Sequence, residues 1–191
     1  AGVGRAPAGA VVLAQVEAAP LPAVLREMDR DSDNFTAEML LKELGAEVGA
    51  GGTTAAGTVV VLHALAAAGV PLAGVRIADG SGLSTEDRLT AHALAALLTV
   101  AWKSDASVHD AFWRALPVAG ISGTLEDRMQ RAPARGAVHA KTGTTDRSSA
   151  LAGYVGSRFA FAVLQNGWPV AATPARKAQD RFATALASTT Q

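Results

Sequence analysis

Apolar residues recur at helical spacing through the first part of the chain and alternate with polar ones near its end. Leu21, Val24, Leu25 and Met28 form a stripe that predicts a helix over 20–30. Further helices are predicted from Phe35 to Val48, from Thr58 to Ala68 (buried, and closed by Gly69 and Pro71), and from Leu89 to Trp102. Ser107 to Leu116 reads as a shorter helix with Ser107 and Asp110 as a capping pair, and Thr124 to Arg131 as a brief charged one. Strands are expected at 136–143, 149–155 and 158–165, the last two joined by a Gly156-Ser157 turn. In the first of these, Val138, Ala140 and Thr142 fall on one face, and His139, Lys141 and Gly143 on the other. Thr173 and Pro174 open a terminal helix as N-cap and first-turn proline, and Phe182 and Leu186 give it an apolar face.

The intervening stretches are less regular. Residues 1–9 are small and Gly/Pro-rich, Ala10 to Val16 could form a strand, and Gly49 to Gly57 reads as a loop. That loop lacks the Gly-x-x-x-x-Gly-Lys-[Ser/Thr] pattern of a phosphate cradle. Val75 to Ala78 looks like a strand, followed by a sharp turn over Asp79 to Ser84. Ser84 and Asp87 are spaced as a capping box for the next helix. Helices over 20–131 followed by antiparallel strands and a closing helix over 136–191 indicate an α+β architecture. A single domain across 1–191 is expected, without internal repeats.

Composition narrows the function. The chain has 191 residues, 49% of them hydrophobic, with 17 basic and 17 acidic side chains. The balance leaves no electrostatic footprint for nucleic acid. There is no cysteine, hence no disulfide or thiolate metal site. The four histidines (63, 92, 109 and 139) show no metal-ligand spacing, so neither metal nor cofactor is expected. The longest apolar stretch, Val59 to Val75, is broken by His63, Gly69 and Pro71, which argues against a transmembrane span.

Two short motifs carry candidate chemistry. Lys141-Thr142-Gly143 ends a strand, and Ser32-Asp33-Asn34 precedes a helix. An ammonium, a hydroxyl and a glycine at a strand edge offer a fixed charge, a hydrogen bond to a carboxylate, and close backbone approach. The plain role of Ser32 and Asn34 is to cap the next helix, and a catalytic role is compatible with that. Ser148 and Ser149 have no histidine at a recognisable spacing, and Asp146-Arg147 reads as a solvated turn.

These motifs come in a recognisable order with Ala37-Glu38-Met39-Leu40-Leu41-Lys42, Asp79-Gly80-Ser81-Gly82-Leu83-Ser84, Leu116-Pro117-Val118-Ala119-Gly120, Gly123-Thr124-Leu125 and Ala150-Leu151-Ala152-Gly153-Tyr154. Over residues 20–167 the chain resembles the D-alanyl-D-alanine carboxypeptidase/endopeptidase family, the low-molecular-mass class C penicillin-binding proteins. The family's nucleophile lies in a Ser-x-x-Lys motif, and no serine here has lysine three positions later. With no initial Met and no signal peptide, the chain is expected to be the C-terminal part of such an enzyme, or a degenerate relative.

The resemblance implies a transpeptidase/β-lactamase-like fold whose nucleophile helix and further strands come from sequence upstream. It implies a serine acyl-enzyme acting on peptidoglycan stem peptides ending in D-Ala-D-Ala, acylated also by β-lactams, and an extracytoplasmic bacterial location. Ser32 would shuttle a proton, and Asn34 would hold the substrate amide and orient the first-motif lysine. Lys141 would supply positive potential, Thr142 and Gly143 would receive the substrate terminus, and the Thr144 N–H would be one oxyanion donor. Leu83 would border the substrate side-chain pocket, although Thr85 stands where the family commonly has a basic residue. An N-terminal fragment carrying Ser-x-x-Lys is the expected partner. A β-lactamase or esterase of the same fold, or a non-catalytic cell-wall-binding domain, are the alternatives.

Overall fold

The computed structural model describes residues 4 and 7–189. The described residues form six helices and a three-stranded antiparallel sheet: α1 (Leu21–Asp31), α2 (Asn34–Val48), α3 (Thr54–Ala67), α4 (Ala91–Lys103), α5 (Ala106–Ala115), β1 (Val138–Thr144), β2 (Ser148–Val155), β3 (Phe159–Asn166) and α6 (Ala172–Ser188). A short 3-10 turn, Gly123–Leu125, lies between α5 and β1. The strands follow the order β1-β2-β3, so the α+β class expected from the pattern is the one observed.

The sheet is covered on both faces because its strands alternate. Val138, Ala140, Leu151, Val155 and Phe161 point to one face and pack with Ala183 and Ala187 of α6. Each large aliphatic side chain so buried contributes about 1.5–3 kcal/mol. The opposite face carries Tyr154 and Ala152, which meet Leu98 and Trp102 of α4 and Phe112, Trp113 and Leu116 in and after α5. The Tyr154 hydroxyl donates to the buried Leu98 carbonyl at 2.7 Å. Burial there pushes its pKa up to about 12. Helix α1 packs on α5, and α2 pairs with α3. A Cβ on Gly57 would lie 1.9 Å from the Leu41 carbonyl oxygen, so only glycine permits the α2–α3 approach.

Several expectations are corrected. Ala10 to Val16 forms no strand, because it has no pairing partner among the described residues and its side chains stand in solvent. Of residues 1–9, positions 1–3, 5 and 6 lie outside the described residues. Helix α3 begins at Thr54, inside the predicted loop, because Thr53 Oγ1 accepts the Ala56 N–H. Its all-round apolar sequence is not matched by burial: Gly57 is its buried residue, and Val59 and His63 are exposed.

Val75 to Ala78 makes a single bridge, Arg76 to Arg88, rather than a strand. Asp87 does not cap a helix with Ser84. It turns back to accept the Ala78 N–H at 2.7 Å, and α4 starts later, capped by Thr90. Asp105, not Ser107, caps α5, since its carboxylate lies before the first turn. The charged segment after Gly123 tightens into 3-10 and turn geometry, with Arg128 drawn out to Asp180 and Gln179 of α6. Helix α6 begins two residues before Pro174, which still falls in the first turn where no N–H is needed. The Asp146-Arg147 turn is exposed as expected, with the Arg147 guanidinium 4.2 Å from the centroid of the exposed Trp168 ring. Among the described residues no helix is long and apolar enough to cross a membrane.

Candidate active site

The two short motifs meet at a hydrogen bond. Lys141 Nζ donates to Ser32 Oγ at 2.6 Å, and to the Thr142 carbonyl at 3.2 Å. Lys141 arrives from the β1 face opposite α6, with its strand fixed by the Lys141–Ala152 pairing to β2. Ser32 arrives from the C-terminal end of α1, in the left-handed region at φ 56° and ψ 49°. A non-glycine residue held there costs about 1–2 kcal/mol. That conformation reverses the chain so that α2 can start two residues later.

Asp33, not Ser32 or Asn34, is the N-cap of α2. Its carboxylate accepts the N–H groups of Phe35 (3.1 Å) and Thr36 (3.2 Å), and also the Thr36 hydroxyl. The Thr36 hydroxyl foremost, and the backbone donors with it, hold the Asp33 pKa below the usual carboxylate range. Capping by the middle residue frees its two neighbours. Ser32 goes to Lys141, and Asn34 stands exposed at the first position of α2. Ser32 and Asn34 line an open concavity of about 550 Å³ with Val24, Met28 and Thr36.

The Lys-Thr-Gly strand has an open edge. The Ala140 N–H donates outward to the Pro117 carbonyl at 2.9 Å. Strand alternation then directs the backbone groups of Thr142 and Thr144 to the same edge, beyond the point where the 117–122 segment covers it. Thr142 Oγ1 bonds Thr124 Oγ1 at 2.9 Å. A Cβ on Gly143 would meet only Ala150 Cβ, at an ordinary 3.6 Å. Packing therefore does not demand glycine there, and its bareness leaves the face beside Lys141 open.

Leu83 is placed differently. Its turn docks on α2, with the N–H groups of Gly80 (2.9 Å) and Ser81 (3.1 Å) donating to Glu38 Oε1. Leu83 itself is 59% exposed and makes no bond to Ser32 or Lys141. The structure thus brings Ser32, Lys141, Thr142 and Gly143 together, with Asn34 lining the concavity beside Ser32, Thr144 at the strand end and Leu83 on the exposed turn docked to α2.

Two participants escaped the motifs. Thr124 reaches Thr142 because Gly123, at φ 61°, lets the 3-10 turn press against the end of α1; a Cβ there would lie 2.8 Å from the Arg30 carbonyl oxygen. The Gly123-Thr124-Leu125 segment was the available signal. Asp29 is the other. Burial pushes its carboxyl pKa up, and the Lys141 charge opposes that rise. Burial likewise pushes the Lys141 pKa below the ordinary lysine value, against the pull of Asp29. Next to Lys141 on the same strand face, the pairing of His139 with Trp113 is a ring stack at 3.9 Å, and burial lowers the imidazole pKa. Among the described residues no group of His, Asp and Glu is placed to hold a metal ion.

The chain as a whole is similar to several known proteins. Residues 1–189 match the D-Ala-D-Ala carboxypeptidase 3 (S13) family. A D-alanyl-D-alanine carboxypeptidase of Actinomadura sp. is 41% identical over 177 residues, covering 87% of this chain and 32% of that protein. Carboxypeptidase DacB of Mycolicibacterium smegmatis is 34% identical over 94% of this chain and 40% of its own length. Among solved structures, penicillin binding protein 4 (dacB) from Haemophilus influenzae, complexed with a β-lactam, superposes with a TM-score of 0.75 at 26% identity, covering 87% of this chain and 40% of that one. The chain therefore spans about a third to two-fifths of the length of these relatives.

Proposed function

The chain belongs to the D-Ala-D-Ala carboxypeptidase 3 (S13) family, and from that premise we propose that it supplies one half of a serine acyl-transfer site. The reaction is hydrolysis of the terminal D-Ala-D-Ala bond of a peptidoglycan stem peptide through an acyl-enzyme, in an extracytoplasmic bacterial setting. Residues 1–191 form the C-terminal part of one transpeptidase-like domain. The nucleophile sits in a Ser-x-x-Lys motif on sequence outside these residues. The 2.6 Å bond between Lys141 and Ser32 is the observation that carries this reading.

In the proposed mechanism the nucleophilic serine attacks the penultimate D-Ala carbonyl and loses its proton to the first-motif lysine. Ser32 relays that proton to the leaving amine of the terminal D-Ala. A hydroxyl already accepting from an ammonium at 2.6 Å has its own proton directed away from Lys141, toward the open side where the leaving group would stand. Asn34 binds the substrate amide. Lys141 and the Thr142 hydroxyl receive the terminal carboxylate, the Thr142 proton turning to it from Thr124 Oγ1, to which it donates in the empty site. The outward Thr144 N–H is an oxyanion donor, a role for which removal of one donor costs about 3–4 kcal/mol in other serine enzymes. The bare Gly143 lets the peptide lie along the open strand edge. Water then hydrolyses the acyl-enzyme. β-Lactams, bound by a structural relative, would acylate the same serine.

The test is release of D-alanine from a stem pentapeptide by the full-length protein, alone and with Ser32→Ala or Lys141→Ala. Release by the unsubstituted enzyme and a large loss in both variants are expected. Undiminished release in either variant would remove that residue from the mechanism.

A further inference from the structure

We infer that Thr124 is a second hydroxyl of the carboxylate-binding site, donating to the carboxylate of the acyl donor beside Thr142. The inference rests on the acyl-transfer reading above and adds a binding residue that lies in neither short motif. Thr142 Oγ1 donates to Thr124 Oγ1 at 2.9 Å, so the Thr124 oxygen is the acceptor and its own proton is left over. Among the described residues that proton has no acceptor. A threonine in a turn ordinarily bonds backbone close to itself. Here the 3-10 turn carries no side-chain cap, and Thr124 faces a residue 18 positions away. Thr124 is exposed and Thr142 half-buried, so the pair is open to a ligand.

The turn that carries Thr124 is held in place. Leu125 is fully buried in the core shared with α6. Gly123 presses on the end of α1, and Arg128 donates to Asp180 at 2.7 Å and to Gln179 Oε1 at 3.1 Å on α6. Gln179, itself fully buried, donates to Ser149 Oγ at 2.9 Å, on the residue paired with Thr144. The same network therefore braces the Thr124 turn and the end of the Lys-Thr-Gly strand, and a donor fixed in advance costs no reorganisation when charge arrives. Two hydroxyls 2.9 Å apart can each donate to one oxygen of a single carboxylate, which has lone pairs for both. Their neutral bond to each other is then replaced by charge-assisted ones, each roughly twice as strong. Lys141 supplies attraction as a point charge, and the hydroxyl pair supplies direction. The preference for a donor with a free carboxylate thus depends on Thr124 as well as on the strand.

The experiment measures acylation of the full-length enzyme by benzylpenicillin and by its methyl ester, which lacks the negative charge. The readout is the ratio of the two second-order rate constants, benzylpenicillin over ester. Thr124→Val keeps the shape and removes the hydroxyl, and should lower the ratio about tenfold through loss of one hydrogen bond to a charged acceptor. Thr124→Ser keeps the hydroxyl and should leave the ratio within about twofold of the original. Thr124→Ala also removes the hydroxyl and serves if the valine variant does not fold. An unchanged or raised ratio in the variants without the hydroxyl, or an equal loss with both donors, would overturn the inference. So would a fall in the serine variant as large as that in the valine variant. Absence of acylation by benzylpenicillin in the unsubstituted enzyme would instead overturn the acyl-transfer reading itself.

Discussion

Lys141 Nζ and Ser32 Oγ stand 2.6 Å apart although 109 positions separate them in the chain. The bond joins the sheet face opposite α6 to the end of the first helix. It ties a charge whose pKa burial has lowered to a hydroxyl on a backbone in the left-handed region. The proposed chemistry depends on that juncture.

Removing either partner should slow acylation. A positioned proton-transfer group contributes about 10²–10⁴-fold to rate. Ser32→Ala and Lys141→Ala in the full-length protein should therefore each lower the second-order rate constant for penicillin acylation by at least about 100-fold. Stopped-flow or quenched acylation assays would measure this.

The Ser32 backbone yields a separate, thermodynamic prediction. Both Ser32→Gly and Ser32→Ala lose the hydroxyl, but only glycine adopts φ 56° without penalty. The glycine variant should be more stable than the alanine variant by about 1 kcal/mol, while both are acylated slowly. Denaturant unfolding of the two variants checks the difference.

The pH profile should show Lys141. Its pKa lies below the ordinary lysine value because burial disfavours the ammonium, with Asp29 only partly compensating. Below that depressed pKa the ammonium is present. As pH rises through it, the attraction for the substrate carboxylate is lost. The alkaline limb of kcat/KM should therefore fall at a pH below the usual range for lysine, and Lys141→Arg, whose guanidinium does not titrate there, should remove that limb from whatever activity remains.

Gly123 should be intolerant of a side chain. Its φ is 61°, and a Cβ at this position would come within 2.8 Å of the Arg30 carbonyl oxygen, so Gly123→Ala must push the 3-10 turn away from α1. The left-handed conformation alone costs about 1–2 kcal/mol for alanine. Unfolding midpoints should fall accordingly, and acylation should weaken because Thr124 and the end of α1 move apart.

Much of this was legible in the sequence for a physical reason. Strict alternation around Val138, Ala140, Leu151 and Val155 fixes strands whose faces are both covered, and β1 to β3 fall within two residues of expectation at every boundary. Lys141 and Ser32 were identifiable because their motifs are short, polar and local. The errors cluster where tertiary contacts outcompete local capping patterns. Ser84-x-x-Asp87 has capping-box spacing, yet Asp87 is pulled to the Ala78 N–H. The apolar α3 sequence suggested burial, but it packs on one side against α2 and leaves Val59 exposed. Asp29 was invisible because a lone carboxylate in a helix carries no sign that the fold will bury it. Leu83 came from the resemblance, and its exposed place on a turn docked to α2 leaves its part in side-chain recognition as a proposal.

The most direct test is to incubate the full-length protein with benzylpenicillin and map the acyl adduct by mass spectrometry of its peptides. The account predicts a single adduct on the serine of a Ser-x-x-Lys motif outside residues 1–191, forming much more slowly when Ser32 is replaced by alanine. An adduct on any residue within 1–191, or none at all, would contradict it.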